Sequence, residues 1–309
     1  MCIRDSDNAA PTSVIIGAHY DHLGLGGEGS LHRDGEAIHN GADDNASGVA
    51  VLLKLAQELQ TEGYSGNNYL FIAFSGEEMG LLGSNFYAKN PTIDWATANY
   101  MINMDMVGRL NEEKALAVHG IGTSPIWPQT IFTANQDFTL SEHESGIGPS
   151  DHTSFYLNDL PVLHFFTGHH NDYHKPGDDS EKLNYEGMEA ISIYIKNIIR
   201  EVDNNGKLKF TKTKNESEAL PSFKVGLGVV PDYLFSGKGM RIDGISEGKA
   251  AQNADLQKGD FVIKMGDSIV VDMMSYMRVL ATYDAGDKTT VVVQRDGQEV
   301  LKEIEFVKD

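Results

Sequence analysis

Short apolar runs alternate along the chain with stretches that are apolar at helical spacing. Ser13-Val14-Ile15-Ile16-Gly17-Ala18 predicts a strand, and Val49 to Leu59 predicts a helix. Tyr69 to Phe74, Tyr100 to Met104 and Pro161 to Phe166 are short apolar runs that fit buried strands. Glu186 to Val202 predicts an amphipathic helix with Ile191, Ile193, Ile195, Ile198 and Ile199 among its apolar positions. Strands alternating with helices predict an α/β fold, with a mixed, mostly parallel sheet and helices on both faces. Asp203-Asn204-Asn205-Gly206 breaks the last helix, and Lys207 to Leu220 is polar and charged, which marks a linker. After Pro221 come short strands, glycine turns and one helix around Ser275 to Tyr283, the texture of a small β domain. The expected organisation is therefore a domain over residues 1–205, a linker over 206–220 and a second domain over 221–309. Met1 to Asp7 contains no apolar leader and runs almost directly into the first strand, so the N-terminus is expected to be truncated.

Composition narrows the function classes. The 309 residues carry 25 basic and 45 acidic side chains, a net charge of −20, which disfavours nucleic acid and anionic membrane as partners. No run approaches the ~18 apolar residues of a membrane span. A single cysteine, Cys2, excludes a disulfide framework and a thiolate zinc site. The charge is uneven: residues 1–220 hold 14 basic and 31 acidic side chains, whereas residues 221–309 hold 11 and 14. All 11 histidines lie between His19 and His174. Such an acidic, histidine-rich segment is either a solvated surface or the ligand set of a cation site.

Five segments favour the second reading, because each sets metal-ligand residues where open α/β sheets place their sites, at strand carboxyl ends. They are His19-Tyr20-Asp21-His22, Gly41 to Gly48 with Asp43 and Asp44, Ser75 to Gly80 with Glu77 and Glu78, Asn103 to Arg109 with Asp105, and Asn171 to Asp178 with His174. Singly, each also reads as structure: Asp44 to Ser47 as helix-capping residues, a lone histidine as a hydrogen-bonded strand end. Glu77 and Glu78 follow six apolar residues with only Ser75 and Gly76 between, an unusual place for solvated surface. Together, two histidines and three carboxylates make a mixed N/O set suited to zinc, with one carboxylate able to serve two metals.

The motifs GAHYDH, GADDNASG, FSGEEMGLLGS, NMDMVGR and DYHKPGDD, in this order over residues 13 to about 202, resemble the di-zinc aminopeptidase family that also contains glutamate carboxypeptidases and glutaminyl cyclases. The resemblance implies a zinc-dependent exopeptidase acting on peptides with a free N-terminus. It implies two zinc ions per chain: His19 and Asp105 on one, Glu78 and His174 on the other, Asp43 bridging, with a cis peptide between Asp43 and Asp44. Asp21 is then the carboxylate that orients His19, and Glu77 the general base. Tyr173, beside a ligand, is a candidate donor to the oxyanion, a packing role being the alternative. Asp151, in Ser150-Asp151-His152, is a further candidate near the cleft, and Arg109 is expected to be structural. His22, His32, His39, His164, His169 and His170 have no ligand place in this scheme. Cyclase-like or carboxypeptidase chemistry is the alternative on the same fold, and a non-catalytic peptide-binding protein the alternative outside it. Relatives of this kind are commonly exported, which makes a periplasmic or extracellular location the expectation.

In the second segment, Gly226-Leu227-Gly228-Val229, Gly239 to Ile242, Ser246 to Ala251 and Ala254 to Asp260 resemble a PDZ domain. That resemblance implies capture of a peptide C-terminus as an added strand, its carboxylate cradled by backbone N–H groups, or tethering to a protein partner; the alternative is a glycine-rich turn in a small β domain that only packs on the peptidase.

Overall fold

The computed structural model describes residues 2–4, 10–27, 29–32, 34–213, 225–232, 235, 237–246 and 248–306. Most of Met1 to Asp7, residues 214–220 of the expected linker, and Glu247 of the glycine-rich stretch lie outside the described residues. The chain forms two compact units, Met1–Glu216 and Ser217–Asp309.

The first unit is built on a seven-stranded sheet in the order β1-β3-β2-β4-β7-β5-β6. Its strands are β1 (Cys2–Arg4), β2 (Ser13–His19), β3 (Asn68–Phe74), β4 (Ala98–Met104), β5 (Ala115–His119), β6 (Thr139–His143) and β7 (Val162–Phe166). Strands β3, β2, β4 and β7 are parallel neighbours; β1 joins β3 and β5 joins β7 antiparallel. The sheet is thus mixed and mostly parallel, and its central strands are continuous apolar runs because both faces are covered. Helices α1 (Gly48–Glu62), α2 (Leu82–Lys89), α3 (Trp127–Ala134), α4 (His152–Tyr156) and α5 (Tyr185–Val202) supply that cover.

Strand alternation sorts side chains between the two faces. Val14, Ile16, Tyr100, Ile102, Leu163 and Phe165 pack with Leu55 of α1, Trp127 of α3 and Ile195 of α5 in one large apolar core. On the other face Phe74 and Tyr87 surround Phe155 of α4. Helix α5 starts where the Asn184 side chain accepts from the Gly187 amide, and it buries Ile191, Ile195, Ile198, Ile199 and Val202 at helical spacing. Ile193, expected on the same stripe, falls outside it and is 38% exposed.

The second unit is a six-stranded sheet with the main order β13-β12-β10-β9-β8, formed by β8 (Val229–Pro231), β9 (Met240–Ile245), β10 (Phe261–Met265), β12 (Lys288–Arg295) and β13 (Gln298–Glu305); β11 (Ser268–Ile269) pairs with β10. The pairings are antiparallel. Short α6 (Ala250–Asn253) and α7 (Met273–Leu280) complete it. Asp272 and Ser275 cap α7 reciprocally, which starts that helix before the expected Ser275 and ends it before Tyr283. Met240, Ile242, Val262, Met265, Val291, Val293 and Phe306 form its own core.

Candidate metal centre and active site

The carboxyl ends of parallel strands β2, β3, β4 and β7 converge on one basin. His19 closes β2, Glu77 and Glu78 lie in the turn after β3, Asp105 follows β4, and the chain after β7 returns His170 and His174. A kinked turn, Ala42–Ser47, with non-helical backbone at Asp44 and Asn45, precedes α1 and delivers Asp43 and Asp44, both buried. Gly48 permits this turn to sit on β4, since a Cβ there would stand 2.6 Å from the Met104 carbonyl.

Asp44 is the residue on which the cluster centres. Its Oδ1 lies 3.4 Å from His19 Nε2, which is also 3.2 Å from Asp105 Oδ1. Its Oδ2 lies 3.1 Å from His174 Nε2, which is also 3.2 Å from Glu78 Oε2. One carboxylate therefore presents one oxygen to each of two histidine–carboxylate pairs. Asp43, expected in that position, turns to the other side of the loop. Its Oδ1 accepts the Gly108 amide at 2.6 Å, and its Oδ2 lies 3.2 Å from His170 Nε2. The expectation for Asp43 is corrected accordingly, as is the cis peptide, which joins Asp44 to Asn45. The glycine at 108 is required here, for a Cβ would stand 2.7 Å from Asp43 Oδ1.

Asp178 fixes which carboxylate faces inward. Its Oδ2 accepts the backbone amides of Asp43 at 2.8 Å and Asp44 at 3.0 Å, while Arg109 Nη2 reaches its Oδ1 at 3.3 Å. Arg109 also bonds Asp172, so it ties the returning loop together. Asp21 acts through two groups. Its backbone carbonyl lies 3.2 Å from His19 Nδ1, and its carboxylate accepts the Glu77 and Glu78 amides at 3.2 and 3.4 Å. The Asp21 carboxylate itself stands 3.7 Å from His19 Nδ1, so most of its hold is on the glutamate turn. With Nδ1 turned to that carbonyl, His19 presents Nε2 to Asp44 and Asp105.

His22 enters the cluster unannounced, its Nδ1 2.7 Å from Glu78 Oε1. Ligand atoms of His19, Glu77 and Asp105 lie within 4.8 Å of one another, as do those of His22, Asp44 and Glu78. The Tyr173 ring stacks on His174 at 3.8 Å. Asp151 is fully buried behind the basin.

Electrostatics follow from crowding acids and imidazoles away from water. Burial alone would raise Asp44, but His174 and His19 outweigh it and hold its carboxyl far below the usual range. Burial would lower His174, yet Asp44 and Glu78 drive it up to about 10, and Asp105 with Asp44 likewise raises His19. Glu78 is lowered by His174 and His22 against its own burial. Glu77 behaves oppositely: burial, reinforced by Asp105, Asp151 and Asp44, raises it well above the carboxylate range. Burial lifts Asp151 to about 7. The two histidines bind protons tightly because carboxylate oxygens face their ring nitrogens, positions in which a divalent cation would replace the proton. The donor set, imidazole nitrogen and carboxylate oxygen without sulfur, fits zinc.

The chain matches Peptidase family M28 over residues 2–199. It is similar to aminopeptidase YwaD of Bacillus subtilis (strain 168), 28% identical over 225 residues that cover 69% of this chain and 46% of that protein. The solved structure of BSAP, a zinc aminopeptidase from Bacillus subtilis, superposes with a TM-score of 0.53 at 26% identity, covering 67% of this chain and 49% of that one. Porphyromonas gingivalis glutaminyl cyclase shares the fold, with a TM-score of 0.53 at 18% identity over 62% of this chain and 74% of its own. The chain thus spans about half the length of the aminopeptidases it matches.

Proposed function

Since the chain belongs to Peptidase family M28, we propose that it is a zinc-dependent aminopeptidase that holds two zinc ions and removes N-terminal residues from peptides. The observation that carries this reading is the division of Asp44, with Oδ1 toward His19 and Asp105 and Oδ2 toward His174 and Glu78. Those five residues would hold the metals, Asp44 bridging them, and His22 would steady Glu78. When bound, zinc supplies Lewis-acid polarisation of the scissile carbonyl and a lowered pKa for water.

The remaining chemistry belongs to the chain. Glu77 has its backbone anchored by Asp21 and its carboxyl crowded by Asp105, Asp151 and Asp44. In its ionised form, a carboxylate with proton affinity raised in this way would take a proton from the attacking water and return it to the departing amine. The acidic basin also attracts the substrate's protonated α-amine, which favours cleavage at a free N-terminus over cleavage within a chain. Tyr173, stacked on His174, is the proposed donor to the oxyanion. A cyclase-like activity is the weaker reading, because an Asp44 that serves two ligand pairs suits two metals.

Residues 221–309 are proposed to act as a PDZ-like module that captures peptide C-termini. Gly228 at φ +80° in the turn before β8 supports this, since it can turn backbone N–H groups toward a carboxylate.

Metal content tests the site. The metal-depleted chain, reconstituted and analysed by elemental mass spectrometry, is expected to hold two zinc ions. Asp44→Ala should lose the capacity for both, whereas Asp43→Ala should bind two with weaker affinity. A wild-type complement in Asp44→Ala would exclude the bridging role.

A further inference from the structure

The strand register sets a polar row across the sheet face that carries α2 and α4. His143 of β6 pairs with His119 of β5, His119 with His164 of β7, and His164 with Asn103 of β4. Such positions in a doubly covered sheet ordinarily hold aliphatic side chains. His119, His164 and Asn103 are nevertheless buried. The row continues into the metal centre: Asn103 Nδ2 lies 3.1 Å from His164 Nδ1 and 2.8 Å from Ser150 Oγ, and Ser150 Oγ lies 2.7 Å from Asp105 Oδ2.

The direction of every proton in this chain follows from its last member. Ser150 Oγ donates to Asp105 Oδ2, so its single hydroxyl proton is committed there. Ser150 Oγ must then accept, which requires the Asn103 NH₂ group, not its carbonyl, to face the serine. The second N–H of that group meets His164 Nδ1, which must be an unprotonated acceptor. His164 is therefore neutral with its proton on Nε2.

We propose that Asn103 and His164 are positioning residues for Asp105, a polarised relay that keeps Ser150 donating to Oδ2 and leaves Oδ1 directed at the metal. The role rests on the reading of Asp105 as a zinc ligand, whereas the polarity of the relay does not. His152 stacks on His164 at 4.4 Å with planes 5° apart, and His119 stands 5.4 Å away, so the ring is held from two sides. Burial lowers the proton affinity of all three imidazoles, in keeping with a neutral His164.

Nitrogen-15 NMR of the imidazoles in the metal-free full-length chain reads the polarity directly. His164 is expected to show an unprotonated Nδ1 and a protonated Nε2 at neutral pH; a protonated Nδ1 would overturn the proposal whether or not the chain binds zinc. Asn103→Asp then tests the consequence, because it matches the size but cannot donate to Ser150. Zinc affinity at one of the two sites is expected to fall ~10–100-fold, with kcat lowered more than KM is changed. His164→Gln, whose side-chain carbonyl can still accept from Asn103, should retain both affinities. Wild-type affinity at both sites in a folded Asn103→Asp chain would also overturn the proposal. If that variant does not fold, the tautomer in the unaltered chain decides.

Discussion

Glu77→Gln is expected to keep its zinc and lose hydrolysis, with kcat lower by ~10²–10⁴-fold. The substitution preserves volume and leaves the backbone anchor to Asp21 intact, because Asp21 bonds the amide of residue 77 and not its side chain. On the proposed mechanism it removes only the carboxylate that accepts the proton of the attacking water. The carboxyl sits among Asp105, Asp151 and Asp44, where burial raises its proton affinity, so a neutral amide should be accommodated without strain. Steady-state kinetics paired with metal analysis check this. Turnover within a few-fold of wild type in a chain with two zinc ions would assign the proton transfer to another group.

The second large effect is loss of stability in acid, read most cleanly at His152. This side chain is fully buried in α4, and burial pushes its pKa down to about 3, against ~6.5 in an unfolded chain. Between these values the unfolded chain binds a proton that the folded chain does not, so stability is complete above pH ~6.5 and declines as pH falls toward 3. The His152 share of the slope approaches ~1.4 kcal/mol per pH unit, and its sum is on the order of 5 kcal/mol, a large share of the ~5–15 kcal/mol that holds a typical protein folded. His119 and His164, lowered in the same direction by burial, steepen the decline. Urea midpoints of the metal-free chain from pH 8 to pH 5 measure it. His152→Phe keeps a ring stacked on His164 without a titrating group, and it should flatten the profile by about one proton's worth. An unchanged slope would mean that His152 does not bury a neutral imidazole.

What the sequence made legible, and what it hid, divides along physical lines. Strands β2, β3, β4 and β7 stand out because burial on both faces writes them as mostly apolar runs. Strand β6 does not: it is an edge strand, Thr139-Leu140-Ser141-Glu142-His143, with one aliphatic residue in five. Helix α2 escaped notice because Leu82 and Phe86 point outward and blur its apolar stripe.

At the site, the convergence of His19, Glu77, Glu78, Asp105 and His174 on one basin was legible because each falls at or just beyond a strand end in a run of otherwise apolar or turn residues. The choice between Asp43 and Asp44 was not legible, since adjacent carboxylates in one loop are equivalent until the backbone is fixed. Asp178, 135 residues away from Asp43, fixes it by taking both amides. Contacts of that range, like Ser150 on Asp105 and His22 on Glu78, leave no local pattern to read.

The central claim, a metal-dependent exopeptidase that requires a free α-amine, is tested most directly by hydrolysis of a panel of aminoacyl anilides and their N-acetylated counterparts, with chelator and with zinc restored. The account predicts cleavage of the unblocked substrates only, abolished by chelator and recovered on adding zinc. Equal cleavage of the acetylated substrates, or cleavage that survives complete removal of the metal, would contradict it.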